Sequence, residues 1–170
     1  MQIPFIDLKS QYNLIDKKIK DSINQVLGHG NFINGPEVTE FESNLKSYTS
    51  VKHAITCANG TDALAIALLA LKVQSNDAVF VPSFTYIASA ESIALVGGVP
   101  YFVDVGEDYN ICSKSLRTAI DDAKKNKHNP RIVIPVDLFG KPSICAELNE
   151  IIENFNLETI YDAAQSFGSS

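Results

Sequence analysis

The sequence predicts an α/β fold: three layers, with a mainly parallel sheet and helices on both of its faces. Three observations carry the prediction. From about residue 51 onward, short β-branched or apolar runs alternate with helical stretches of ten or more residues. That is the pattern of parallel strands joined by crossover helices. The chain has 170 residues, the size of about one domain. Its residues are 45% hydrophobic and 20% charged, an ordinary globular composition and too apolar for a disordered chain.

Residues 1–50 are expected to form an N-terminal helical segment, and residues 51–170 the alternating α/β region. Tyr12, Ile15, Ile19, Ile23 and Val26 recur at helical spacing across residues 10–27. Ser10 is placed to cap that helix, and Gly28 and Gly30 punctuate its end. Pro36 suits the first turn of a second helix, whose stripe is Val38, Phe41, Leu45 and Tyr48. Five strands are then expected, over residues 54–58, 78–81, 100–103, 131–136 and 159–161. Helices are expected near 61–72, 85–96, 114–125 and 143–154. Crossovers should be right-handed, and ligands in such sheets gather at the carboxyl ends of the strands.

Charge and composition exclude several functions. Fourteen Lys and Arg against 20 Asp and Glu leave a net charge of -6, which argues against a nucleic-acid binder. The longest apolar run, Ala63 to Leu71, stops at Lys72, far short of the roughly 18 residues of a membrane span. The opening residues Met1 to Asp7 lack a basic region followed by a long apolar one, so no signal peptide is read and a cytoplasmic location is expected. Cys57, Cys112 and Cys145 form no C-x-x-C pair; buried neutral thiols are the expected reading, not a zinc site or a disulfide framework. His29, His53 and His128 are scattered and carry no metal-ligand spacing, so no metal is expected.

Three strand ends carry chemistry. The first runs into Asn59-Gly60-Thr61-Asp62 and then a helix rich in alanine and leucine. A glycine lets a ligand approach the backbone, and the helix start offers free N–H groups and a positive dipole end; Thr61 adds a hydroxyl. These suit a phosphate, although Asn59 or Thr61 could instead simply cap the helix. No G-x-x-x-x-G-K-[ST] or G-x-G-x-x-G is present, which disfavours the usual nucleoside triphosphatases, dinucleotide-binding enzymes and generic nucleotide binders. The second strand ends in Pro82-Ser83-Phe84-Thr85-Tyr86, whose aromatics could cover a flat ligand or close the core. The fifth ends in Tyr161-Asp162-Ala163-Ala164-Gln165-Ser166-Phe167-Gly168. A carboxylate there is costly to bury alone. It is either a cap or turn residue, or it faces a cationic ligand atom.

Taken in order, these blocks resemble the DegT/DnrJ/StrS family of nucleotide-sugar aminotransferases, pyridoxal-phosphate enzymes of fold type I. Further matching text is Ile3-Pro4-Phe5-Ile6-Asp7-Leu8, Phe32-Ile33-Asn34-Gly35-Pro36-Glu37-Val38 and Val136-Asp137-Leu138-Phe139-Gly140. The likeness runs over essentially the whole chain. It implies that residues 51–170 are part of the family's large domain. It also implies that Gly60, Thr61 and Asp62 hold the phosphate of pyridoxal 5'-phosphate. Tyr86 would stack on its ring, with Phe84 the weaker candidate. Asp162 would pair with the protonated ring nitrogen, and Gln165 would lie near the ring and its phenolic oxygen. The cofactor serves as an electron sink, deepest while that nitrogen keeps its proton. A carboxylate at about 4 Å supplies roughly 4 kcal/mol at an effective dielectric near 20, before desolvation.

The resemblance implies a transferase that moves an amino group, with glutamate as the expected donor, to a keto group on a nucleotide-linked sugar. Such enzymes serve nucleotide-sugar and polysaccharide biosynthesis and act as homodimers. A branch of the family performs dehydration, and a non-catalytic relative is the alternative. Family members also carry a Schiff-base lysine downstream of the Asp162 block, and this sequence ends at Ser170 before it. No catalytic residue is therefore assigned, and the 170 residues alone are expected to bind the cofactor weakly or not at all and to be inactive. Lys141 lies in another loop, and Lys124, Lys125 and Lys127 form a solvated helix end. The implied large domain has two further strands between the first strand and the one bearing Asp162. Without them the sheet would show open edges, unless the first strand slides across or is exchanged with another copy.

Overall fold

A computed structural model describes residues 4–169. The chain divides into two compact units, one ending at Thr56 and the other beginning at Cys57.

The first unit contains α1 (Leu8–His29) and α2 (Pro36–Thr49). The cap of α1 is Asp7 rather than Ser10. The Ser10 N–H donates to Asp7 Oδ1 at 3.0 Å, and the Ser10 hydroxyl to Oδ2 at 2.6 Å. A carboxylate satisfies a free N–H and also meets the positive helix end, so Asp7 outcompetes a hydroxyl one turn further in. Those hydrogen bonds from Ser10, side chain first, hold the Asp7 carboxyl below its ordinary value. Gly30 ends α1 in the left-handed region, at φ 69°, a conformation glycine adopts without strain. Beyond α2, Glu42 Oε1 accepts from the Thr56 N–H at 2.8 Å and from its hydroxyl at 2.9 Å. The strand expected over 54–58 is absent: no ladder forms there, because the Thr56 donor that would join one is bound to the Glu42 side chain.

The second unit is the α/β layer structure. In order it holds α3 (Gly60–Ala70), β1 (Asp77–Pro82), α4 (Ala88–Leu95), β2 (Val99–Val103), α5 (Ser113–Lys125), β3 (Asn129–Val133), α6 (Ala146–Phe155) and β4 (Glu158–Thr159). The strands lie in the order β2-β1-β3-β4, and every pair is parallel. Successive side chains of β1 point to opposite faces. Ala78 and Phe80 join one core with Leu116, Ile120, Leu148 and Ile151 of α5 and α6. Val79 and Val81 join another with Leu64, Leu68 and Ile93 of α3 and α4. Helices thus cover both faces of the sheet, as the sequence predicts.

Element ends differ where side chains or proline intervene. Pro135 has no N–H to give, so the β3 ladder stops at Val133. Pairing continues only loosely beyond it, with the Asp162 N–H on the Pro135 carbonyl at 2.9 Å and a parallel bridge between Val136 and Asp162. The helix expected from residue 143 begins at Ala146. Asp137 Oδ1 takes both the Ser143 N–H, at 2.7 Å, and its hydroxyl, at 2.6 Å, holding that residue outside the helix. Cys57 and Cys145 are exposed and Cys112 half-buried, against the expectation of buried thiols: they precede helix starts rather than facing a core. No described helix is long and apolar enough to cross a membrane.

Candidate functional site

The site is built at the carboxyl ends of the strands. The α3 start is capped by Asn59, whose side-chain carbonyl accepts from the Asp62 N–H at 2.9 Å while its amide donates to the Asp62 carboxylate at 3.0 Å. This resolves the choice between Asn59 and Thr61 as the cap. It leaves the Thr61 hydroxyl without a cap role and the space before Gly60 open, since a Cβ there would meet nothing within 4 Å.

Asp162 lies beyond β4 and lines the same pocket as the α3 start. Its backbone is fixed between Pro135 and Asp137: it donates to the Pro135 carbonyl, and its own carbonyl accepts from the Asp137 N–H at 3.0 Å. Its half-buried carboxylate accepts from the Ser89 hydroxyl at 3.0 Å. Gln165 Oε1 accepts the Phe139 N–H at 2.7 Å, anchoring the turn over Leu138–Gly140. Phe139 adopts φ 57°, ψ 19° there, uncommon for a bulky residue.

One pocket of about 190 Å³ gathers these parts: Gly60, Thr61, Tyr86, Asp162 and Gln165 all line it, with Thr85 and an apolar surround of Leu64, Ala88, Val136 and Leu138. Asp62 does not line it, being occupied with Asn59. Nor does Phe84, whose ring packs against Tyr109 at 5.7 Å, and Tyr109 against Phe139 at 5.4 Å. Tyr86 is 75% exposed, and its ring is the aromatic face on offer. A phosphate-seeking helix start, a hydroxyl, an aromatic ring and a carboxylate therefore border one small chamber. That donor set fits a planar cationic ring carrying an anionic tail. The volume falls below the roughly 300–1,000 Å³ that encloses a drug-sized ligand, so these residues form part of a wall.

Two site residues escaped sequence reasoning. Ser89 supports Asp162 from a helix 73 residues earlier in the chain, which periodicity does not reveal. Asp137 is buried and accepts from Ser143 and, at 2.7 Å, from the Ser166 hydroxyl, tying the loops on either side of Asp162 together. An aspartate directly after an apolar strand was a usable signal for Asp137, the same one that singled out Asp162. Burial raises the pKa of neighbouring Tyr161, helped by the charge of Asp137 and then of Cys145. Lys141 is paired with Asp108 at 2.8 Å. Among the described residues, no group of three or more His, Cys, Asp or Glu could hold a metal.

Comparison with known proteins points the same way. The model of the DegT/DnrJ/EryC1/StrS aminotransferase family matches residues 13–170. A UDP-2-acetamido-2-deoxy-3-oxo-D-glucuronate aminotransferase of Pseudomonas aeruginosa is 44% identical, over 99% of this chain and 45% of that protein. A solved DegT DnrJ EryC1 StrS aminotransferase from Brucella abortus superposes with a TM-score of 0.93 at 44% identity, covering 98% of this chain and 45% of that one. NtdA from Bacillus subtilis, solved with bound cofactor PMP, superposes with a TM-score of 0.88 at 30% identity, over 98% of this chain and 38% of that one. The chain spans just under half the length of the curated relatives it matches.

Proposed function

Because the chain belongs to the DegT/DnrJ/EryC1/StrS aminotransferase family, we propose that it is the N-terminal portion of a pyridoxal-phosphate-dependent aminotransferase acting on a nucleotide-linked keto-sugar. The amino donor in this reading is glutamate, and the whole enzyme is a cytoplasmic homodimer. The observation that carries the cofactor assignment is the shared pocket: Asp162 and the Gly60–Thr61 helix start border the same 190 Å³ chamber.

In this reading each residue has a task. The Gly60 and Thr61 N–H groups and the Thr61 hydroxyl bind the cofactor phosphate, where the helix dipole favours an anion. Asp62 contributes by fixing that turn through Asn59 rather than by touching the ligand. Tyr86 covers one ring face. Asp162 holds a proton on the ring nitrogen, which a neutral amide could not do. Gln165 positions the ring edge. When bound, the cofactor supplies the electron sink for chemistry at the amine-bearing carbon. The proton-shuttling lysine belongs to a segment outside these residues, so the 170-residue chain by itself holds part of the site and does not transaminate.

The test uses the purified chain and pyridoxamine 5'-phosphate, which has no aldehyde and so binds without reacting with lysines. Saturable binding is expected, weakened at least tenfold in Asp162→Asn; equal binding by both proteins would overturn the assignment. In parallel, borohydride added with pyridoxal 5'-phosphate is expected to fix no stoichiometric adduct on any single lysine. The coding sequence that follows Ser170 decides the rest: an open frame continuing through another strand to a lysine supports the aminotransferase reading.

A further inference from the structure

Ser89 is the second residue of α4 and only 1% exposed. A buried helical serine ordinarily returns its proton to its own helix. Ser92, equally buried three residues on, does so, donating to the Ser89 carbonyl at 3.3 Å. Ser89 instead reaches out of the helix to Asp162 Oδ2 at 3.0 Å. Its oxygen also lies 3.5 Å from that of Thr85. A hydroxyl has one proton to give, and the charge-assisted bond to a carboxylate is the stronger use of it. Thr85 then donates to Ser89, forming a short relay that runs from the pocket rim inward and ends on Oδ2. Asp162 Oδ1 has a weaker partner among the described residues, the Ala164 N–H at 3.4 Å.

We propose that Ser89 is a positioning residue for Asp162: it pins Oδ2 so that Oδ1 is presented to the cationic ring atom of a ligand in the pocket. This rests on the cofactor reading above and goes beyond it, since it concerns how the carboxylate is aimed. The two functions of one side chain are thereby divided between its oxygens, one for orientation and one for the ligand. Because the donor sits on α4 and the carboxylate beyond β4, the aim depends on the packing of α4 against the sheet, where Ala90 and Ile93 join the core with Val79 and Val81.

The experiment titrates the 170-residue chain bound to pyridoxamine 5'-phosphate carrying a ¹⁵N-labelled ring, following the nitrogen chemical shift with pH. In the unaltered chain the bound nitrogen should keep its proton to higher pH than in the free compound. Ser89→Ala should lower that midpoint by on the order of one pH unit and weaken affinity by about tenfold. A merely structural role would not move the midpoint. If Ser89→Ala folds, as judged by circular dichroism, yet titrates like the unaltered chain, the proposal is overturned. If it does not fold, Ser89→Cys, nearly isosteric but a weak donor, is judged by the same criterion. An unaltered chain that binds the probe yet leaves its nitrogen titrating as in free solution overturns the cofactor reading and the role of Ser89 together. A shift in the unaltered chain that persists in the variant overturns the role of Ser89 alone.

Discussion

Arg131 Nη1 lies 2.7 Å from Asp77 Oδ2, joining the starts of β3 and β1 at the amino end of the sheet. Asp77 also accepts from Asn129 at 2.7 Å and from the Gln74 N–H at 2.8 Å. Arg131 donates as well to the carbonyls of Leu71 and Lys72 beyond α3. Removing the carboxylate leaves the Asn129 amide and the Gln74 N–H without this acceptor and Arg131 with the two carbonyls alone. Asp77→Ala is expected to lose about 2 to 3 kcal/mol, somewhat less than a fully buried broken pair because Arg131 is partly exposed. Urea denaturation of the two proteins measures it; a loss under 1 kcal/mol would contradict this account.

The same carboxylate sets an acid response. Burial pushes the Asp77 carboxyl up, but the hydrogen bonds from Asn129 and Gln74 and the Arg131 guanidinium outweigh it and hold it below its ordinary 3.8. A group depressed in the folded state contributes stability that is present above its unfolded pKa and lost as pH falls through the folded one. Stability from Asp77 should therefore be constant above about pH 5 and decline below 3.8. Thermal midpoints of Asp77→Asn and the unaltered chain should converge as pH drops through that window; a constant gap would rule the mechanism out.

Much of this was legible in the residues. The alternation of apolar runs and helical stretches gave the sheet, its parallel sense and the helices on both faces, because those follow from local periodicity. Five of the six expected cofactor residues line one pocket, since in parallel sheets the loops after the strands converge. What was not legible depended on side chains distant in sequence. Glu42 captures Thr56, and Asp137 captures Ser143. Each displaces an expected element boundary, and no local pattern announces either. The strand expected over 54–58 failed for that reason.

In the proposed reading, Thr61 would separate phosphate binding from ring binding. Thr61→Val keeps the shape and removes the hydroxyl. It should weaken pyridoxamine 5'-phosphate roughly five- to tenfold and leave pyridoxamine, which has no phosphate, unchanged. Equilibrium dialysis of both ligands checks this, and equal losses for the two would place Thr61 elsewhere in the site.

The two aromatics that follow β1 should behave differently. Tyr86 lines the pocket, whereas Phe84 packs on Tyr109. Tyr86→Ala should therefore reduce cofactor affinity by about tenfold, in line with roughly 0.5 to 1.5 kcal/mol for ring packing beyond the buried area. Phe84→Ala should leave affinity within twofold while lowering thermal stability. The opposite ranking would exchange their roles.

α3 is moored at both extremities. Asn59 secures the turn that opens it, and the Arg131 guanidinium grips the chain as it leaves. Such a strut cannot slide along the sheet to suit whatever arrives at its front. In the proposed reading its leading N–H groups would meet an anion at a height dictated from the opposite rim, so a substitution that loosens the rear anchor should blur binding at the front without touching a single lining residue.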